Sequence, residues 1–155
     1  MSEEEPINFR FAAIQIISKS LAEVKPEIIN KSFNANFDIK VDTRVNADLH
    51  FVIPFIMVKI RDGDESESLA EFTIACYFEV LEFDKFIKLN ENDLYQVPAP
   101  LESILRPVSI STARGIIYSE LRGTYLQNTI MPVVFMKDFK IESLTDTSMA
   151  NQLQN

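Results

Sequence analysis

A chain of 155 residues with 46 % hydrophobic and 25 % charged residues and a net charge of −8 has the size and composition of one globular domain. Its single cysteine, Cys76, cannot close an internal disulfide, and one cysteine with one histidine does not supply a zinc site. The 15 lysines and arginines are scattered through an acidic chain, which excludes the clustered cations that phosphate backbones need.

The opening Met1-Ser2-Glu3-Glu4-Glu5 is acidic where a secretory signal needs positive charge and an apolar run. The longest apolar stretch, Phe51 to Val58, is interrupted by Pro54 and is too short to span a bilayer. The expected location is the cytoplasm, without membrane insertion. A single domain over 1–155 is expected, with flexible tails at 1–8 and 145–155.

From Phe9 to Val24 the pattern reads two ways. Phe11, Ile14, Ile17 and Leu21 fit a helical stripe, while the β-branched cluster Ile14, Ile16, Ile17 favours a strand. The β-branched content tips the reading towards a strand, ended by Pro26. Between Asn36 and Asn46, Phe37, Ile39, Val41 and Val45 alternate with Asp38, Lys40, Asp42 and Arg44, the period of a half-buried strand. His50 to Arg61 is apolar on both faces, with Pro54 marking an edge position, a bulge or a strand break. Asp62-Gly63-Asp64-Glu65 predicts a turn, and Leu69 to Phe83 a long strand with Phe72, Ile74, Cys76, Phe78 and Val80 on its apolar face. Residues 84–100 read as a connection with one helical turn. A helix starting at Leu101 or Pro107 runs to Leu121, with Ile110, Ala113, Ile117 and Leu121 on one face and Gly123 to stop it. Strands first and helix later make an α+β domain, an antiparallel sheet with helix on one face. The other face of residues 51–58 then has no cover within the chain, so it either pairs with another subunit or holds apolar segments of a ligand.

The residues for catalysis are missing. Three glycines, Gly63, Gly115 and Gly123, write neither a phosphate loop nor a dinucleotide fingerprint. Cys76 would need His50 as its base, but it lies on the apolar face of its strand, where a free cysteine behaves as a small hydrophobe. Glu71 and Glu79 share one strand face eight residues apart, about 26 Å at strand rise. They cannot share a proton, and they read as a solvated face or an acidic docking surface. No enzyme, cofactor or metal is expected.

Arg122-Gly123-Thr124-Tyr125 followed by Pro132-Val133-Val134-Phe135 resembles the signature of the SecB protein-export chaperone family, and Ala113-Arg114 resembles the start of that family's long helix. Gly123 would end the helix, Tyr125 anchor a crossing loop and Pro132 stiffen its return. The resemblance implies a four-stranded antiparallel sheet with helices on one face, a dimer of dimers, and ATP-independent holding of unfolded or precursor polypeptides. It makes Phe9–Val24 the first strand. Phe51, Ile53 and Phe55 with Tyr125 are the expected client surface, with core or subunit interface as the competing role. Leu69-Ala70-Glu71 matches the Leu-x-Glu that helps dock the SecA motor, making Leu69 and Glu71 the expected partner-docking residues. The family's acidic positions on the first strand fall here on Ser20 and Val24, and Thr145 to Asn155 has one acid and no base. These departures leave two expected roles: an export holdase, or a SecB-like chaperone dedicated to one partner such as the antitoxin of a toxin–antitoxin pair.

Overall fold

A computed structural model describes residues 5–23, 34–63 and 67–134. Pro26, Asp64, Glu65, Phe135 and the expected tail at 145–155 lie outside them. Four long strands, β1 (Phe9–Leu21), β2 (Ala35–Asn46), β3 (Phe51–Asp62) and β4 (Ser68–Val80), form one antiparallel sheet in the order β1-β4-β3-β2. A helical turn α1 (Phe83–Phe86), a two-residue ladder of β5 (Lys88–Leu89) with β6 (Tyr95–Gln96), and a helix α2 (Ala99–Glu120) follow.

The double reading of the first segment has a structural cause. β1 pairs with β4 in three successive registers, separated by irregularities between Phe11 and Ala13 and between Ile16 and Ser18. Each extra residue flips the alternation. Phe9, Phe11, Ile14, Ile16, Lys19 and Leu21 therefore stand opposite Val80, Phe78, Cys76, Ile74, Phe72 and Ala70, all on one side of the sheet. Two bulges put three-residue steps into a strand, and those steps imitate a helical stripe.

β2 and β3 keep strict period two. Phe37, Ile39, Val41 and Val45 face the same side as Val52, Ile56, Val58 and Ile60. Pro54 does not push β3 to an edge, because β3 lies between β4 and β2. Pairing with β4 is recorded on either side of it, Val52 with Phe78 and Phe55 with Ala75, in one unbroken register. The missing N–H thus falls at an interruption of the ladder rather than at a strand end.

The last strand stops earlier than Phe83. Glu82 adopts a left-handed conformation, φ 55°, and the chain turns into α1, where Phe83 is buried and stacks on His50 with ring centres 5.0 Å apart. The helix begins before Leu101 and carries Pro107 inside it, so Pro107 is not its start. Leu101, Leu105, Ser109, Ile110, Ala113 and Ile117 form its buried stripe, and Leu121 follows as its cap residue.

One main core joins this stripe to the even-numbered residues of β3 and β4 and to Leu126 and Met131 beyond the helix. A smaller cluster, Ile53, Phe55 and Ala75 with Phe51 and Tyr77 against it, lies on the other side of the sheet.

Candidate functional site

The helix packs on β3 and β4, and among the described residues this leaves β1 uncovered at the edge of the sheet. Phe11, Ile14, Ile16, Ile17 and Leu21 are 36–49 % exposed. An edge strand is ordinarily blunted by charge, yet the two charged residues of β1 are both drawn back into the chain. Arg10 pairs with Glu79 of β4, and Lys19 pairs with Glu120 of α2 at 2.6 Å. The result is an apolar stripe of Phe11, Ile14, Ile16 and Leu21 on the helix side of an open strand edge, with Ile17 exposed at the second bulge and Lys19 bridging one end to the helix. The outward side of α2 is also poor in charge: Ile104, Val108 and Tyr118 are exposed, Arg106 is buried against Glu102, and Arg114 is engaged by the following loop.

That loop explains the sequence signature. Gly123 takes a left-handed conformation, φ 78°, just beyond the helix end. The Thr124 hydroxyl donates to the Leu121 carbonyl at 2.7 Å and accepts from the Leu126 N–H at 3.1 Å. Arg114 donates from Nε to the Met131 carbonyl and from a terminal nitrogen to the Pro132 carbonyl, both at 3.1 Å. The Tyr125 hydroxyl reaches the Ala22 carbonyl at 3.0 Å, with the Leu69 carbonyl at 3.5 Å. The motif residues therefore pin the crossing loop to the helix and to the ends of β1 and β4. Desolvation by burial raises the Tyr125 phenol above its ordinary pKa.

The residues expected to form one client surface are separated. Phe51, Ile53 and Phe55 belong to the cluster on the open side of the sheet, whereas Tyr125 packs with the main core on the helix side. Along the sheet, Tyr125 meets Leu69 at the start of β4, while Phe51 pairs with Glu79 near its end. Nor is the open-side cluster bare. Ile53 and Phe55 are only 8 % and 6 % exposed. Arg44 lies 4.2 Å over the Phe55 ring, held by Asp42 at 3.0 Å, and Tyr77 is tied to Gln15 at 2.9 Å. The cover comes from side chains of neighbouring strands, which local patterning does not report.

Leu69 and Glu71 also part company. Leu69 is buried with the main core, at the point where the β3–β4 register shifts. Glu71 projects from the open side, where Ser68 donates to it at 2.7 Å and Lys59 lies 3.6 Å away.

Cys76 is fully buried, and burial pushes its thiol above the ordinary value, with the Ser109 hydroxyl acting in the opposite direction. His50 is tied to the end of the same strand, its carbonyl accepting from Val80 N–H. Four residues, about 13 Å at strand rise, separate that point from Cys76. Among the described residues no group of three or more His, Cys, Asp or Glu could hold a metal ion, and no helix is long and apolar enough to cross a membrane.

Among solved structures, the chain is similar to a SecB-like chaperone of Mycobacterium tuberculosis, Rv1957, in complex with a ChAD peptide from the HigA1 antitoxin Rv1956. The TM-score is 0.53, at 12 % identity, over 81 % of this chain and 90 % of the other. The chain has the SecB-like fold. No family model and no curated protein sequence matches it. In SecB-like terms, the observed arrangement is the four-stranded antiparallel sheet with a long helix on one face.

Proposed function

We propose that this chain is a non-enzymatic, ATP-independent chaperone that holds apolar segments of unfolded polypeptides in the cytoplasm. The observation that carries the reading is the stripe of β1, where Phe11, Ile14, Ile16, Ile17 and Leu21 stay exposed on a strand whose charges are tied up within the chain. Burying such side chains is worth about 1.5–3 kcal/mol each when complete, and an extended segment can add main-chain bonds along the open edge. Leu21 ends the stripe beside Ala22, whose carbonyl Tyr125 contacts, so Tyr125 belongs to this client surface. On the other side of the sheet the partly buried Phe51 and Tyr77, clustered with the buried Ile53 and Phe55, make a second, smaller surface.

Assembly is part of the same reading. The outward side of α2, with Ile104, Val108, Gly115 and Tyr118 and no unengaged charge from Ser103 to Tyr118, suits burial against a second copy. A homo-oligomer, as the SecB resemblance implies, follows from this.

Between export and dedication to one partner, the electrostatics favour dedication. Docking of a cationic motor segment to Glu71 competes with Lys59 and Ser68, and Leu69 has little surface to offer. A solved structure with a similar fold is of a complex with an antitoxin peptide, which supports the same preference. The test is suppression of aggregation of an unfolded client at stoichiometric amounts without nucleotide. Unchanged aggregation at a twofold excess of chaperone sinks the proposal.

A further inference from the structure

The open side of the sheet is a different kind of surface from the β1 stripe. At its centre lie Phe51, Ile53, Phe55, Ala75 and Tyr77. Around them the strand registers place Arg10, Lys40, Arg44, Lys59 and Arg61 against Asp38, Asp42, Glu71 and Glu79. Every one of these carboxylates is engaged inside the chain: Asp38 by Arg61 at 2.8 Å, Asp42 by Arg44, Glu71 by Lys59, and Glu79 by Arg10. Lys40 is exposed, stands opposite Met57 beside the cluster, and has no ion-pair partner among the described residues. Among the described strand residues of this side cations thus exceed carboxylates by one, while the chain as a whole carries −8. The acidic excess sits elsewhere.

An apolar centre rich in aromatic side chains and arginine, inside a polar rim, is the anatomy of a protein-binding surface. We infer that the open side of the sheet docks an acidic polypeptide segment, whose apolar side chains cover Phe51 and Tyr77 and whose carboxylate meets Lys40. A cationic segment finds no unengaged carboxylate here and is drawn to the remainder of the molecule. Charges beyond about 8 Å are screened at physiological salt, so a segment lying on this side responds to its local balance rather than to the net charge. The inference rests on the reading of the chain as a polypeptide binder and names the chemistry of a second partner surface on it.

Two labelled synthetic peptides test it. Each is as long as β3, 12 residues, with the same Leu- and Phe-containing centre flanked by glutamates in one and lysines in the other. Binding is followed by fluorescence anisotropy, and the contact surface by backbone NMR shifts. The expected result is that the glutamate-flanked peptide shifts Lys40, Phe51, Met57 and Tyr77. Its affinity should fall about three- to tenfold in Lys40→Glu and stay unchanged in Lys88→Glu, a control at an exposed residue of β5. Lys40 is exposed and makes no ion pair among the described residues, so the variant should melt like the parent. Preferential occupation of this side by the lysine-flanked peptide overturns the inference. So does an affinity indifferent to Lys40→Glu. If both peptides shift only β1, the docking inference is lost and the chaperone reading stands; if neither binds, both are lost.

Discussion

Removing the Tyr125 hydroxyl tests how the crossing loop is held. In Tyr125→Phe the ring stays and only the contacts to Ala22 at 3.0 Å and Leu69 at 3.5 Å are lost. A single hydroxyl proton serves one carbonyl well, and the shorter contact is the one that counts. A neutral hydrogen bond of this kind contributes about 0.5–1.5 kcal/mol, so the variant should lose about 1 kcal/mol in urea unfolding with an unchanged m-value. The pH dependence adds a second readout. Burial raises the phenol pKa in the folded chain above the unfolded value near 10. Stability from this group is therefore complete below pH 10 and is lost as pH rises from there through the folded value, because the unfolded chain releases its proton first. Tyr125→Phe should accordingly show a shallower alkaline loss than the parent. Equal stability at pH 7 together with an identical alkaline slope would refute the idea that this hydroxyl pins the loop to the sheet.

The helix side of the same loop depends on Arg114, whose two bonds to the Met131 and Pro132 carbonyls are charge-assisted. Arg114→Ala should cost about 1.5–3 kcal/mol and make residues 129–134 sensitive to protease, which limited digestion checks. Ile14→Glu with Ile17→Glu alters exposed positions of β1, so thermal stability should move by no more than about 0.5 kcal/mol per site while aggregation suppression is lost; unaltered suppression would remove β1 from the client surface. Cys76→Ala should flatten the fall of stability as pH rises through 9 and beyond, since burial raises the thiol in the folded state alone. It should leave client binding intact, as measured by anisotropy.

Much of this architecture is readable from period alone. β2 and α2 declare themselves because Phe37 to Val45 and Ile110 to Leu121 repeat at the spacing of the element they form, and β3 shows instead as an apolar run from Phe51 to Val58. The first strand does not, because bulges at Ala12 and Ile17 shift its parity twice. The early end of β4 turns on Glu82, a non-glycine residue in the left-handed region, and side-chain type gives no warning of that. The candidate surface was harder still. Phe51, Ile53 and Phe55 look bare in a linear reading, but Arg44 reaches Phe55 from the neighbouring strand. Conversely, the exposure of Ile14 to Leu21 follows from strand order, with β1 at the edge and α2 over β3 and β4. Order in a sheet is non-local, and no spacing within β1 encodes it. The signal that was available is the low charge of β1, whose strand Phe9–Leu21 contains only Arg10 and Lys19 as charged residues.

The proposed function has two halves, self-assembly and the holding of unfolded polypeptide without an energy source. Light scattering of the purified 17.7 kDa chain after size-exclusion chromatography, alone and mixed with a reduced, unfolded client, measures both halves at once. The expected mass is a multiple of the chain alone, rising by the mass of bound client when the client is present and no nucleotide is added. A monomeric mass that is unchanged by the client contradicts it.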